Sequence, residues 1–247
     1  MQKICIIIPC YNEEKRLDTE FLTDFLRANS TLNLLFVNDG SSDATASVLD
    51  RIRSEFPDSV TVINLEKNKG KAEAVRHGMM TLSVADDFQF LGYFDADFAT
   101  PLSEALPMLN LLVEKNLKFV LGSRIKRLGA RVERTKTRHI TGRVFSTFAS
   151  LILDLPVYDT QCGAKIISRD WVETAFSKSF ISSWLFDVEI LARIRNNYGK
   201  ATLLDQTMEA PLNTWIEKGG SKIKLVHLIK IPLELIRIHF TYNQKSK

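Results

Sequence analysis

The sequence predicts an α/β fold: a mostly parallel sheet flanked by helices in one domain, followed by an amphipathic C-terminal helix. Two observations predict it. Short apolar runs alternate with amphipathic stretches through the first half of the chain, and three of those runs end in acidic or polar residues. Ile4-Cys5-Ile6-Ile7-Ile8 reads as a first strand, closed by Pro9 and the polar Tyr11-Asn12-Glu13-Glu14. Residues 19–27 read as a helix, because Phe21, Leu22, Phe25 and Leu26 recur on one face. Residues 33–37 form a second strand that ends in Asn38-Asp39-Gly40-Ser41-Ser42-Asp43, a turn with capping chemistry. A helix over 44–56 carries Val48, Leu49, Ile52 and Phe56 inward, a strand spans 60–64, and a helix over 71–82 buries Ala74, Val75, Gly78 and Leu82. Residues 88–94 are the fourth strand, and Phe119-Val120-Leu121 a later one.

The fourth strand runs into Asp95-Ala96-Asp97. Carboxylates one residue apart share a face of an extended chain, and like charges that close call for a cation or a basic partner. Hard divalent ions such as Mg²⁺ or Mn²⁺ take oxygen ligands and keep positions open for phosphates. An acidic turn is the plainer reading of the same residues. Tyr11-Asn12-Glu13, Asn38-Asp39-Gly40 and Asp95-Ala96-Asp97 all follow strands, and the ligand crevice of an open parallel sheet lies outside those ends.

The bulk properties exclude little. The chain has 247 residues, a net charge of +4 and three cysteines, Cys5, Cys10 and Cys162, with no zinc spacing. Reduced thiols and a cytoplasmic location fit that usage. No run of about 18 apolar residues offers a bilayer span. Between 124 and 143 stand eight basic residues, Arg124, Lys126, Arg127, Arg131, Arg134, Lys136, Arg138 and Arg143, against the single acid Glu133. This block is either a solvated face or a phosphate-binding loop, and Arg124, directly after a strand, is the best placed for phosphate. It lacks interleaved aromatics, which argues against nucleic acid as a partner. The first strand is followed by no Gly-rich phosphate loop, which argues against a nucleotidyltransferase.

From 222 to 242, polar and basic residues (Lys224, His227, Lys230, Glu234, Arg237, Thr241) recur at helical spacing among apolar ones, with Pro232 marking a kink or a second start. The segment either lies on an anionic membrane surface or packs on protein. The expected division is a body over 1–221 and this segment over 222–247.

Together these residues resemble a known family. Pro9-Cys10-Tyr11-Asn12-Glu13, Val37-Asn38-Asp39-Gly40-Ser41-Ser42-Asp43, Asn68-Lys69-Gly70-Lys71 and Asp95-Ala96-Asp97 stand in the order seen in family 2 glycosyltransferases. Gly122-Ser123-Arg124, Asp159-Thr160-Gln161-Cys162-Gly163-Ala164-Lys165, Phe186-Asp187-Val188-Glu189 and Gly220-Ser221-Lys222 are similar to the polyprenyl-phosphate branch. Within it the chain resembles dolichyl-phosphate β-glucosyltransferases first and dolichyl-phosphate mannose synthases next.

The resemblance implies a GT-A (Rossmann-like) catalytic domain and an inverting, metal-dependent enzyme. It would transfer a hexose, glucose favoured, from a UDP-sugar to an undecaprenyl or dolichyl phosphate with Mg²⁺ or Mn²⁺. Pro9, Tyr11, Glu13, Asp39, Gly70, Lys71 and Asp95 would bind the nucleotide sugar, and Asp95 and Asp97 the metal. Arg124 would face the phosphates, with Asp187 and Glu189 orienting sugar or acceptor. For these two, a helix N-terminus that favours carboxylates is the competing account. Arg131, Ser221 and Lys222 would bind the acceptor phosphate, at the inner face of the membrane. Three departures stand out. Ala99 occupies the place where mannose synthases carry Gln, favouring glucose and uridine over mannose and guanosine. The anchor that begins the eukaryotic glucosyl enzymes has no counterpart in this sequence. Ala72-Glu73 replaces an expected glycine. GDP-mannose as donor, or a glycan without lipid as acceptor, is the alternative.

Overall fold

The computed structural model describes residues 3–29, 31–84, 87–218 and 225–242. Its centre is a seven-stranded sheet in the order β3-β2-β1-β4-β7-β5-β8. The strands are β1 (Ile4–Cys10), β2 (Leu32–Asn38), β3 (Val60–Asn64), β4 (Phe90–Phe94), β5 (Phe119–Ser123), β7 (Ala164–Ser168) and β8 (Thr207–Pro211). A separate ribbon pairs β6 (Arg131–Glu133) with β9 (Thr214–Ile216). Every pairing in the main sheet is parallel except those of β7, which runs antiparallel between β4 and β5.

Alternation along β1 sets the layers. Ile4, Ile6 and Ile8 pack in the cluster that holds Leu22, Phe25 and Leu26 of α1 (Thr19–Ala28), Leu49 and Ile52 of α2 (Thr45–Glu55), and Met108, Leu109 and Leu112 of α4 (Ala105–Glu114). Cys5 and Ile7 face the other way, toward Ala74, Val75 and Met79 of α3 (Lys71–Ser83). That second layer also receives α5 (Lys136–Leu153), α6 (Arg169–Phe176), α7 (Phe186–Tyr198) and α9 (Leu225–Tyr242), with Leu203 of the short α8 (Lys200–Gln206) beneath. All three cysteines are free and buried, Cys10 and Cys162 in the first layer and Cys5 in the second.

The second half departs from the sequence reading. The basic block is not one loop. It leaves β5, forms β6 and then enters α5, an 18-residue helix. The i, i+4 recurrence of Ile140, Val144 and Phe148 would have signalled that helix, but the flanking Lys and Arg residues masked it. Pro232 starts no second helix, since α9 runs through it. Leu235 and Ile238 of α9 are buried in the second layer, while Leu233, Ile236 and Phe240 are exposed. The same helix therefore packs on its own body and offers an apolar surface. No helix among the described residues is long and apolar enough to cross a membrane.

Candidate active site

The loops after β1, β2 and β3 are laced together at the C-terminal edge of the sheet. Asn12 donates its backbone N–H to Ser41 Oγ at 3.0 Å and accepts from the Ser42 N–H at 2.9 Å, and the Glu13 N–H reaches Thr45 Oγ1 at 2.8 Å. Asp39, which the family resemblance assigned to the nucleotide, is 2% exposed. Both of its carboxylate oxygens accept backbone N–H groups across the edge, from Lys69 and from Gly70, each at 2.8 Å. Its observed contacts thus hold the loop that starts α3. Gly40 makes this approach possible: its φ is +65°, and a Cβ there would lie 2.5 Å from the Lys67 carbonyl carbon.

Lys71, the first residue of α3, extends from this loop to β4. Its ammonium is 2.5 Å from Asp95 Oδ1, and it lies 5.6 Å from the Phe186 ring centre. Burial works to lower its pKa, but Asp95, Asp187 and Asp97 together outweigh that and raise it. Asp95 and Asp97 flank the buried Ala96 in a turn after β4, closed by the Phe98 N–H on the Asp95 carbonyl at 3.1 Å, and not on the extended chain that the sequence reading assumed; both carboxylates are partly exposed, at 37% and 29%. Asp97 Oδ1 accepts from the Ala99 N–H at 3.0 Å, and Oδ2 lies 3.6 Å from Arg16, which also contacts Glu13 at 3.3 Å. The Asp95 N–H donates to the Gly163 carbonyl at 3.0 Å, and its carboxylate fills the space that a side chain at 163 would take.

Asp187 lies beneath this pair, 4% exposed, accepting from Lys165 Nζ at 2.7 Å and from the Tyr93 hydroxyl. Burial and then Asp187 push the Tyr93 phenol well above its ordinary pKa. Glu189 goes elsewhere. It is completely buried, accepting from Arg193 at 2.7 Å, the Tyr242 hydroxyl at 2.8 Å and the Ile181 N–H at 2.8 Å. The expectation that it orients sugar or acceptor is therefore corrected: its carboxylate ties α9 and the loop before α7 to α7.

Arg124 leaves β5 into a two-pronged contact with Asp159, both prongs 2.7 Å, and stacks 5.5 Å from the Trp215 ring centre. Arg124 outweighs the burial that would raise the Asp159 pKa, leaving that carboxyl below its ordinary range. Glu209 holds the backbone beneath, accepting from Tyr158 at 2.8 Å and Asp159 at 2.6 Å. The rest of the basic block scatters. Arg127 reaches Asn213 at 2.8 Å, Arg143 stacks on Tyr158, and Arg131 is exposed on β6 against Glu133 at 2.7 Å. Pro9 is half-buried at the end of β1, Tyr11 is 45% exposed, and open space faces Gly70. Ser221 and Lys222 lie outside the described residues.

The structure therefore brings Glu13, Asp39, Gly70, Lys71, Asp95, Asp97 and Asp187 to one edge, with Arg124 on the far side of β7. Sequence reasoning assigned no role to Asp159, Gly163 or Lys165. Lys165 carried a signal, being a lysine within an apolar strand, and such a residue needs a buried partner.

Among the described residues no three His, Cys, Asp or Glu stand close enough to enclose a metal ion. A Mg²⁺ or Mn²⁺ that bridges a diphosphate asks less of the protein, namely one or two carboxylates with phosphates completing the shell. Asp95 and Asp97 fit that requirement: hard oxygen donors, partly exposed, one residue apart in the turn after β4. A surface hollow of about 720 Å³ at the opposite end of the sheet is walled by Met80, Phe88, Lys118, Asp170 and Glu173, with Asp170 paired to Lys118 at 2.9 Å, and holds none of the site residues the sequence singled out.

Acids and a lysine gathered outside the carboxyl ends of a mostly parallel sheet occupy the place where open α/β sheets bind their ligands. Residues 5–176 match the family described as Glycosyl transferase family 2, and the chain belongs to that family as a glycosyltransferase. A dolichyl-phosphate beta-glucosyltransferase of Trichomonas vaginalis is 30% identical over 97% of this chain and 73% of its own. The enzyme of that name from Dictyostelium discoideum is 30% identical over 97% and 74%, and that from Saccharomyces cerevisiae 28% over 97% and 75%. The glucosyl-3-phosphoglycerate synthase from Mycobacterium tuberculosis, solved with Mn²⁺, UDP-glucose and phosphoglyceric acid, shares the fold. Its TM-score is 0.68 at 17% identity, covering 98% of this chain and 79% of that one. The architecture is that GT-A fold.

Proposed function

We propose that this enzyme transfers glucose from UDP-glucose to a polyprenyl phosphate, with inversion, at the surface of a membrane. The observation that carries the reading is similarity over 97% of this chain to dolichyl-phosphate beta-glucosyltransferases, in a chain whose paired acids stand at the sheet edge. Asp95 and Asp97 would hold a divalent ion, which supplies charge stabilisation for the departing diphosphate. Pro9, Tyr11 and Glu13 border the base and ribose, and Asp39 serves them by fixing the Lys69–Gly70 backbone. Lys71 and Arg124 present positive charge near the phosphates, Arg124 with its orientation set by Asp159.

The acceptor needs little deprotonation, since a phosphate monoester loses its second proton near a pKa of about 6. A buried Asp187 already bonded to Lys165 and Tyr93 suits that chemistry, because it orients rather than abstracts. Membrane placement is supported by Ile140, Val144, Phe148 and Leu151 of α5 and by Leu233, Ile236 and Phe240 of α9, all exposed. The two helices adjoin, with His239 Nδ1 3.1 Å from the Ile152 carbonyl, and Lys230 and Arg237 are exposed on α9. The Ser221–Lys222 pair is proposed, on the resemblance alone, to contact the acceptor phosphate.

The test is transfer of radiolabelled glucose from UDP-glucose to dolichyl or undecaprenyl phosphate in anionic vesicles with Mg²⁺ or Mn²⁺. Formation of glucosyl phospholipid, reduced together with vesicle binding in Phe148→Glu and Phe240→Glu, is expected. Transfer only from GDP-mannose, or only to a soluble acceptor, overturns the reading.

A further inference from the structure

We infer that Lys71 is a place-holding cation, occupying the Asp95 carboxylate until a divalent ion enters together with the donor's diphosphate and keeping the lone ion out. The inference rests on the nucleotide-sugar reading above and adds an order of binding to it.

Four carboxylates crowd this corner and three bases meet them: Lys71 meets Asp95 at 2.5 Å, Lys165 meets Asp187 at 2.7 Å, and Arg16 is shared between Glu13 at 3.3 Å and Asp97 at 3.6 Å. A metal ion arriving alone at Asp95 therefore meets a carboxylate already neutralised. It has to displace an ammonium and leave that positive charge beside its own. A diphosphate arriving with the ion changes the balance, because its negative charge accommodates both the ion and the displaced lysine.

The geometry says which partner moves. Asp95 is confined, its N–H bonded to the Gly163 carbonyl at 3.0 Å and its carboxylate filling the space above Gly163. Lys165 and Asp187 are sealed, at 1% and 6% side-chain exposure. Lys71 is 40% exposed on a flexible stem, so it can swing from Asp95 to the phosphates without disturbing the core. Arg16 also contacts Glu13 at 3.3 Å and stands farther from its acid, so it contributes the smaller block.

The test titrates Mn²⁺, without and with UDP, into the wild type and the Lys71→Met, Lys71→Gln and Lys71→Arg variants, reading free Mn²⁺ by electron paramagnetic resonance. Circular dichroism checks folding, and Lys71→Gln serves if Lys71→Met does not fold. Removal of the charge is expected to tighten binding of Mn²⁺ alone about tenfold, equivalent to about 1.4 kcal/mol. Lys71→Arg should stay near the wild type, and the neutral variants should lose much of the gain that UDP gives to Mn²⁺ uptake. If wild type takes up Mn²⁺ with UDP but the neutral variants bind Mn²⁺ alone no more tightly, the place-holding role is overturned. A wild type that takes up no Mn²⁺ even with UDP overturns instead the metal–diphosphate reading beneath it.

Discussion

Lys165 and Asp187 form an ion pair under the candidate site, Nζ to Oδ1 2.7 Å apart, with the lysine 1% and the aspartate 6% exposed at their side chains. Lys165 also donates to the Cys162 carbonyl at 2.6 Å, and Tyr93 donates to Asp187. The pair thus joins the centre of the sheet to the first turn of α7.

Removing one member leaves a buried charge without its partner. Lys165→Met should cost about 3–5 kcal/mol of stability, read as a fall in urea midpoint. Lys165→Met with Asp187→Asn should recover part of it. A single variant as stable as the wild type would show that the pair compensates nothing.

Asp97 is partly exposed and carries no core packing, so Asp97→Ala should leave the fold intact. Transfer should nevertheless fall at least about a hundredfold, as for loss of a group that stabilises developing charge. Near-normal turnover with an unchanged melting temperature would remove Asp97 from the metal set.

Asp39 acts through backbone. Its two bonds to the Lys69 and Gly70 N–H groups are charge-assisted, and deleting them in Asp39→Ala should cost about 1–3 kcal/mol. The donor KM should rise more than kcat falls, because the loop that carries Lys71 is displaced. Asp39→Asn, which keeps one acceptor, should lie between. Equal losses in kcat and kcat/KM would instead place Asp39 on the reacting group.

Gly163 is small because Asp95 occupies its Cβ space. In Gly163→Ala the carboxylate must shift, and a misplacement of about 1 Å costs on the order of a hundredfold in rate. UDP-dependent Mn²⁺ binding should weaken in parallel, measured by calorimetry. Unchanged binding would mean that the carboxylate has another place to go.

The Arg124–Asp159 pair makes stability depend on pH in a defined direction. Arg124 overrides burial and lowers the Asp159 pKa in the folded protein. This contribution is full above the unfolded carboxylate value of about 3.9 and disappears as pH falls through the lower folded value. Asp159→Asn should therefore be less stable than wild type at pH 7, with the difference shrinking below about pH 4. A difference independent of pH would assign the loss to packing instead.

Much of the first half was legible because its signals are local. The strand over 60–64 was predicted to the residue, and the helix over 71–82 differs by one residue at its end. The acids at strand ends were legible too, since the apolar run of β4 stops at Phe94, although Asp95 and Asp97 stand in a turn and not on the extended chain that alternation assumed. The second half was less so. β7 enters the sheet antiparallel between strands far from it in sequence, and β8 and β9 are short, polar at several positions and held by long-range pairing. Nothing within a short window specifies such partners.

The sequence by itself determined the layered α/β plan and the family, because periodicity and motif order are properties of neighbouring residues. Only the tertiary structure decided what each charge does. Asp187 and Glu189 are two residues apart in one motif, yet on a helix they point about 200° apart. One meets Lys165 under the site and the other meets Arg193 and Tyr242 in the core. Asp39 reads as a ligand-binding acid and holds backbone instead, and Lys71 pairs with Asp95 across two loops. A carboxylate's role depends on which donor reaches it first, and those donors come from parts of the chain that only folding brings near.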